Sequence, residues 1–227
     1  MLDYLKSFFD KPWKPISRPA IGAWIVFYVW FLFLAFNAHG RGLFIDLANL
    51  VVHEGGHNLF GWFGETLGLW GGTLLQLLVP FLLAAYFFSE RQVPGFVFSL
   101  FFFFENFLGI ATYMADARAM ELPLVTTGDP EFVKHDWNTI FGNLGVLEYD
   151  TKIAAVVRLT GWCGMIACVV WLALRARQQE SAPSAAMGFP TPSMPLVQRY
   201  PGKPRTTGST PVCKEEIQIA SAPESGK

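Results

Sequence analysis

The chain is short of charge. Only 15% of its 227 residues are Asp, Glu, Lys or Arg, against about 25% in a soluble domain, so it cannot clothe a water-facing surface in the ordinary way. A net charge of −1 excludes the strong basic field that draws nucleic acid, and no nucleic-acid partner is expected. Cys163, Cys168 and Cys213 are its three cysteines. Their spacing matches no metal motif, and an odd number closes no disulfide framework. The first two read as small hydrophobes within an apolar helix. There is no internal repeat. Pro12, Pro15 and Pro19 interrupt a polar lead that lacks the small-residue cleavage site of a signal peptide.

What the chain has instead is apolar surface: 52% hydrophobic residues, among them 22 Phe and 8 Trp. Crossing a bilayer takes about 20 mostly apolar residues, and five stretches qualify: 20–36, 42–64, 71–88, 94–114 and 153–175. The expected fold is all-α, a polytopic transmembrane helix bundle of about five membrane segments, six if a further one is hidden. The expected setting is the bacterial inner (plasma) membrane, with membrane lipids as neighbours. A polar lead (1–19) precedes the membrane domain (20–177), which contains a polar loop (115–152). The tail (178–227) is rich in Pro, Ser, Thr and Gly. It buries too little apolar area to offset its ordering entropy and is expected to be disordered.

Five crossings put Lys6, Lys11, Lys14 and Arg18 on the same side as Arg118, Lys134 and Lys152, against Arg41, Arg91, Arg175 and Arg177. That balance favours a cytoplasmic N-terminus. It leaves Arg175 and Arg177 on the wrong side unless one segment fails to cross.

Within 42–64 stands His53-Glu54-Gly55-Gly56-His57. Residues four apart stack on one helix face, so the two imidazoles can converge on one metal ion, and Glu54 projects close enough to reach a water bound to it. This is the HExxH pattern of two zinc ligands and a general base. Ionisable groups in an apolar helix are costly, so each needs a partner. Asp46, Asn49, His53 and His57 form one polar stripe, in which Asn49 or Asp46 could accept the second N–H of a ligating histidine. Gly55 and Gly56 remove side chains beside the ligands.

A catalytic zinc site usually has three protein ligands. Glu105 and Asp116 share a helix face but lie about 16 Å apart at 1.5 Å per residue, so one straight helix cannot bring both to one ion. With five crossings, His57, Asp116 and the stretch 134–137 ("KHDW") all lie toward the side of the N-terminus. The third ligand is therefore expected to be Asp116, with His135 and Asp136 as alternatives.

The arrangement resembles the site-2 protease family of intramembrane zinc metallopeptidases. That family carries HExxH on one transmembrane helix and a later aspartate, with an Asn before it and a Gly-Pro-containing segment between. Residues 71–80 ("GGTLLQLLVP") are a loose counterpart of the middle segment. In 105–118 ("ENFLGIATYMADAR"), Asn106 and Asp116 match the Asn and Asp positions. The resemblance covers about a third of the chain. It implies a membrane-embedded zinc metallopeptidase that hydrolyses peptide bonds of a membrane protein or peptide within or next to the bilayer. Zn2+ would be the cofactor, Glu54 the base, and Asn106 a candidate to steady the carbonyl oxygen. The alternatives are a zinc hydrolase acting on a lipid amide or ester, and a non-enzymatic metal-binding membrane protein.

Overall fold

The computed structural model describes residues 10–38, 42–123 and 135–181. Residues 1–9, 39–41, 124–134 and the tail beyond 181 lie outside these described residues. Among them every regular element is helical. Helix α1 spans Arg18–Ala38, α2 Ile45–Gly61, α3 Glu65–Ser89, α4 Val93–Ala115, α5 Asp136–Leu144 and α6 Asp150–Ser181, with a 3-10 turn at Leu147–Tyr149 ahead of α6.

Local chemistry sets the helix ends. The Ser17 hydroxyl accepts the Ala20 N–H at the start of α1, and Pro19 costs nothing in that first turn because its missing N–H would be unpaired there anyway. His135 caps α5 by accepting the Asn138 N–H at 3.2 Å. Gly145, at φ 68°, ends it in the left-handed conformation that glycine adopts freely.

Among the described residues four helices are long and apolar enough to cross a membrane: α1, α3, α4 and the continuous stretch Leu147–Gln178. The five or six segments expected from sequence are thereby reduced. The segment 42–64 is helical only over its 17 residues Ile45–Gly61. That is about 25 Å of helix, short of a hydrocarbon core of about 30 Å, and it contains Asp46, His53 and Glu54.

The direction of each helix follows from its contacts. Ring pairs Trp24–Phe98, Tyr28–Phe101 and Phe31–Phe102 rise together in number, so α1 runs parallel to α4. Helix α2 runs antiparallel to α3, since Gly56 meets Gly71–Gly72 and Gly61 meets Gly68. The far end of α3 returns to the beginning of the chain, where Lys14 pairs with Glu90 at 3.3 Å and its N–H donates to the Arg91 carbonyl. Trp13 packs there against Phe88, Phe96 and Trp171. Helices α1 and α2 therefore advance in the same direction, one after the other, toward the opposite end. At that end Arg118 pairs with Asp150 at 2.7 Å.

This corrects the expectation that His57, Asp116 and the 134–137 stretch share a side with the N-terminal lead. His57, Asp116 and residues 135–137 do gather at one end of the bundle, but it is the end away from Trp13. The reason is that α2 adds no crossing of its own between α1 and α3.

With the native cysteines replaced, Glu90→Cys and Tyr149→Cys should label with an impermeant maleimide from opposite faces of a sealed membrane. Labelling of both from one face would contradict this path of the chain.

Candidate metal centre

Helix α2 reaches α3 at glycines. A Cβ on Gly71 would lie 2.5 Å from the Gly56 carbonyl oxygen, and one on Gly56 would strike the Gly71 backbone. Such close approach is the usual role of small residues between membrane helices. The crossing presses the imidazoles of α2 onto α3 directly over Gly72, where a Cβ would lie 2.5 Å from Nε2 of His53 and 2.6 Å from Nε2 of His57. Gly72 thus leaves open the space in which the two rings meet.

Asp136, the first residue of α5, completes the group. Its Oδ2 lies 3.1 Å from Nε2 of His53 and 3.1 Å from Nε2 of His57. One donor atom from each of the three residues falls within 4.8 Å of the others. Bonds of about 2.0–2.1 Å in a tetrahedron set ligand atoms roughly 3.3 Å apart, so the two imidazole–carboxylate separations already fit a zinc ion.

The tautomer of His57 makes the point chemically. A carbonyl oxygen only accepts, so Nδ1 of His57 carries the hydrogen of its 2.8 Å bond to the Gly68 carbonyl. In a neutral ring that leaves Nε2 a lone pair, facing the carboxylate. Two acceptors at 3.1 Å repel unless a proton or a metal ion stands between them. His53 has the same arrangement, with Nδ1 3.1 Å from Oε1 of Gln76. An acceptor behind each ligating imidazole is the usual outer support of a metal site. Burial by itself would push the Asp136 carboxyl up, but hydrogen bonds from His53 and His57, given when those rings are protonated, outweigh it and hold the group below the ordinary carboxylate range. Asp136 is therefore an anion near neutral pH, as a ligand must be.

Other expected residues lie elsewhere. Asp116 lies outside the cluster: its two carboxylate oxygens accept the N–H groups of Glu121 and Leu122 at 2.9 and 3.1 Å, fastening the chain as it leaves α4. His135 also stands apart. Its Nε2 lies 3.4 Å from Asp116, and burial pushes the imidazole down toward the neutral form. Asn106 is buried, donates to the Phe102 carbonyl of its own helix at 2.8 Å and does not border the cavity described below, so it is not placed to steady a substrate oxygen. The acceptors behind the histidines are Gln76 and Gly68 of α3, not Asn49 or Asp46. Asn49 instead donates to Glu105 at 3.2 Å, and Asp46 accepts the Leu43 N–H. Gln76 did leave a sequence signal, as a lone amide in an apolar helix.

A cavity of about 1270 Å³ opens beside the cluster, larger than the roughly 300–1,000 Å³ usual for small ligands. Its lining includes the polar side chains of His53, Glu54, Tyr113, Asn49 and Glu105 together with apolar ones such as Phe36 and Trp162. Glu54, the next residue to His53, is close enough for its charge to act on both His57 and Tyr113.

No family model, curated protein or solved structure matches this chain. The residues themselves carry the reading.

Asp136→Ala should lower zinc affinity by more than the ~10–100-fold typical of losing an outer-shell partner, whereas Asp116→Ala, which loosens a tie rather than removing a ligand, should stay within that range. Chelator competition on the purified protein measures both. The opposite pattern would return the third position to Asp116.

Proposed function

We propose that the chain is a membrane-embedded zinc metallopeptidase, with His53, His57 and Asp136 as metal ligands and Glu54 as general base. The observation that carries this reading is the convergence of two imidazole Nε2 atoms on one carboxylate oxygen at 3.1 Å, each imidazole backed by an acceptor. The HExxH part of the resemblance to the site-2 protease family supports the same reading, while its Asn106 and Asp116 positions do not enter the site. Two His and one Asp beside a cavity would form the donor set of a catalytic rather than a closed structural zinc site.

Zinc held there would supply a Lewis acid and lower the pKa of a water beside it. The residues do the rest. Gln76 and Gly68 fix the ring orientations, so the ligand geometry is set before substrate arrives. Glu54 takes a proton from the attacking water as its oxygen bonds to the peptide carbonyl carbon, then delivers that proton to the nitrogen as the C–N bond breaks. The cavity's apolar walls receive the hydrophobic residues that flank the scissile bond. Its volume supports a membrane-protein or peptide segment as substrate over a compact metabolite.

Lys14, Arg18, Arg91 and Arg175 gather at the Trp13 end, against Arg118 and Lys152 at the other. The excess of Lys and Arg on cytoplasmic loops then puts the Trp13 end in the cytoplasm and the metal centre toward the opposite side of the membrane. It also removes the misplaced arginines that five crossings would leave.

Glu54→Gln should retain zinc, because every ligand is intact, and lose the hydrolysis of peptide substrates by ~100-fold or more. A Glu54→Gln protein that no longer binds zinc would make Glu54 a ligand and favour a non-enzymatic metal site.

A further inference from the structure

Tyr113 stands where the third donor joins the two histidines. Its hydroxyl oxygen accepts the backbone N–H of Asp136 at 3.1 Å, and its ring stacks on His135 with centroids 4.2 Å apart. The accepted bond occupies one side of the hydroxyl and pins its oxygen 3.5 Å from Oδ2 of Asp136. The phenol proton thus points at a carboxylate oxygen at the long limit of a hydrogen bond. That same oxygen lies 3.1 Å from both Nε2 atoms. When Oδ2 is committed to a cation it becomes a poorer acceptor, and the phenol proton is released to another. Tyr113 borders the cavity beside His53 and Glu54, so an oxygen held in that cavity is an alternative acceptor for this proton.

We propose that Tyr113 is a catalytic hydrogen-bond donor that places its phenol proton against the carbonyl oxygen of the scissile peptide bond as negative charge grows there. The role rests on reading the site as the metal centre of a peptidase. No proton is transferred: the phenol keeps its hydrogen, and the bond strengthens as the carbonyl oxygen becomes an oxyanion. Removing one such donor typically costs 10²–10³-fold in kcat. Glu54 on α2 and Tyr113 on α4 then divide the work, one handling the proton of the attacking water and the other the charge on the carbonyl.

The test uses the full-length protein loaded with cobalt, whose absorption spectrum reports what binds the ion. Acetohydroxamate is the oxygen-bearing probe, and imidazole is the control that brings no oxygen. Tyr113→Phe keeps the ring and its stack on His135, so the fold is retained. At saturating cobalt, the variant should bind acetohydroxamate about 10–100-fold more weakly than wild type, the size of one hydrogen bond to a charged acceptor, and should bind imidazole equally well. Unchanged acetohydroxamate affinity would overturn the role of Tyr113 and leave the metal centre standing. Equal weakening for both probes would reduce Tyr113 to a support for Asp136. A wild-type protein that takes up no cobalt would overturn the metal centre, and Tyr113's role with it.

Discussion

The contact between α2 and α3 at Gly56, Gly71 and Gly72 governs everything around the site. Neither Gly56 nor Gly71 has room for a Cβ, because the obstacle in each case is the other helix's backbone rather than a movable side chain. At that spacing the imidazoles of His53 and His57 meet α3 where a carbonyl (Gly68) and an amide (Gln76) wait for their Nδ1 atoms. The two Nε2 atoms are thereby aimed at the same point, above Gly72. Wider separation of the helices would break both supporting hydrogen bonds at once and free the rings to turn.

The site is held from three further directions. Helix α5 delivers Asp136 only because the chain after α4 is fastened in stages. Asp116 takes the N–H groups of Glu121 and Leu122, Asn138 donates to the Ala117 carbonyl at 2.8 Å, and Trp137 packs edge-on against Trp70 of α3. Buried polar groups without partners are expensive in apolar surroundings, and here the partners are the structural ties themselves. The Asn49–Glu105 hydrogen bond does the same for the lower half of α2, tying it to α4 across the cavity. A polar network inside an apolar bundle thus sets the position of three elements that share little other contact with one another.

The histidine pair was legible in the sequence because its geometry is local: four residues apart on a helix means one face, whatever surrounds it. Helices α1, α3, α4 and α6 were legible for a similar reason, since a long apolar run is a property of the segment alone. The third donor was not fixed in this way. Asp136 is separated from His57 by two full helices and a loop, and its approach depends on where α5 docks. From the sequence it ranked behind Asp116, as an alternative beside His135. The acceptors behind the imidazoles were sought on α2, one turn below, because same-face spacing is all a sequence displays. The glycine crossing brought α3 nearer than that turn, so Gln76 and a backbone carbonyl took the role. The path of α2 was misread because 42–64 is apolar enough to suggest a crossing, although the chain turns at Gly64, at φ 117°, after only 17 helical residues.

The central claim is that His53, His57 and Asp136 form one ligand set although they come from two separate helices. Zinc K-edge X-ray absorption on the zinc-loaded protein tests it most directly. The account predicts a shell of four nitrogen or oxygen atoms at about 2.0–2.2 Å, two of them with the outer scattering of imidazole rings, and the loss of one imidazole in His53→Ala. A shell with sulfur at about 2.3 Å, or one without imidazole scattering, would contradict it.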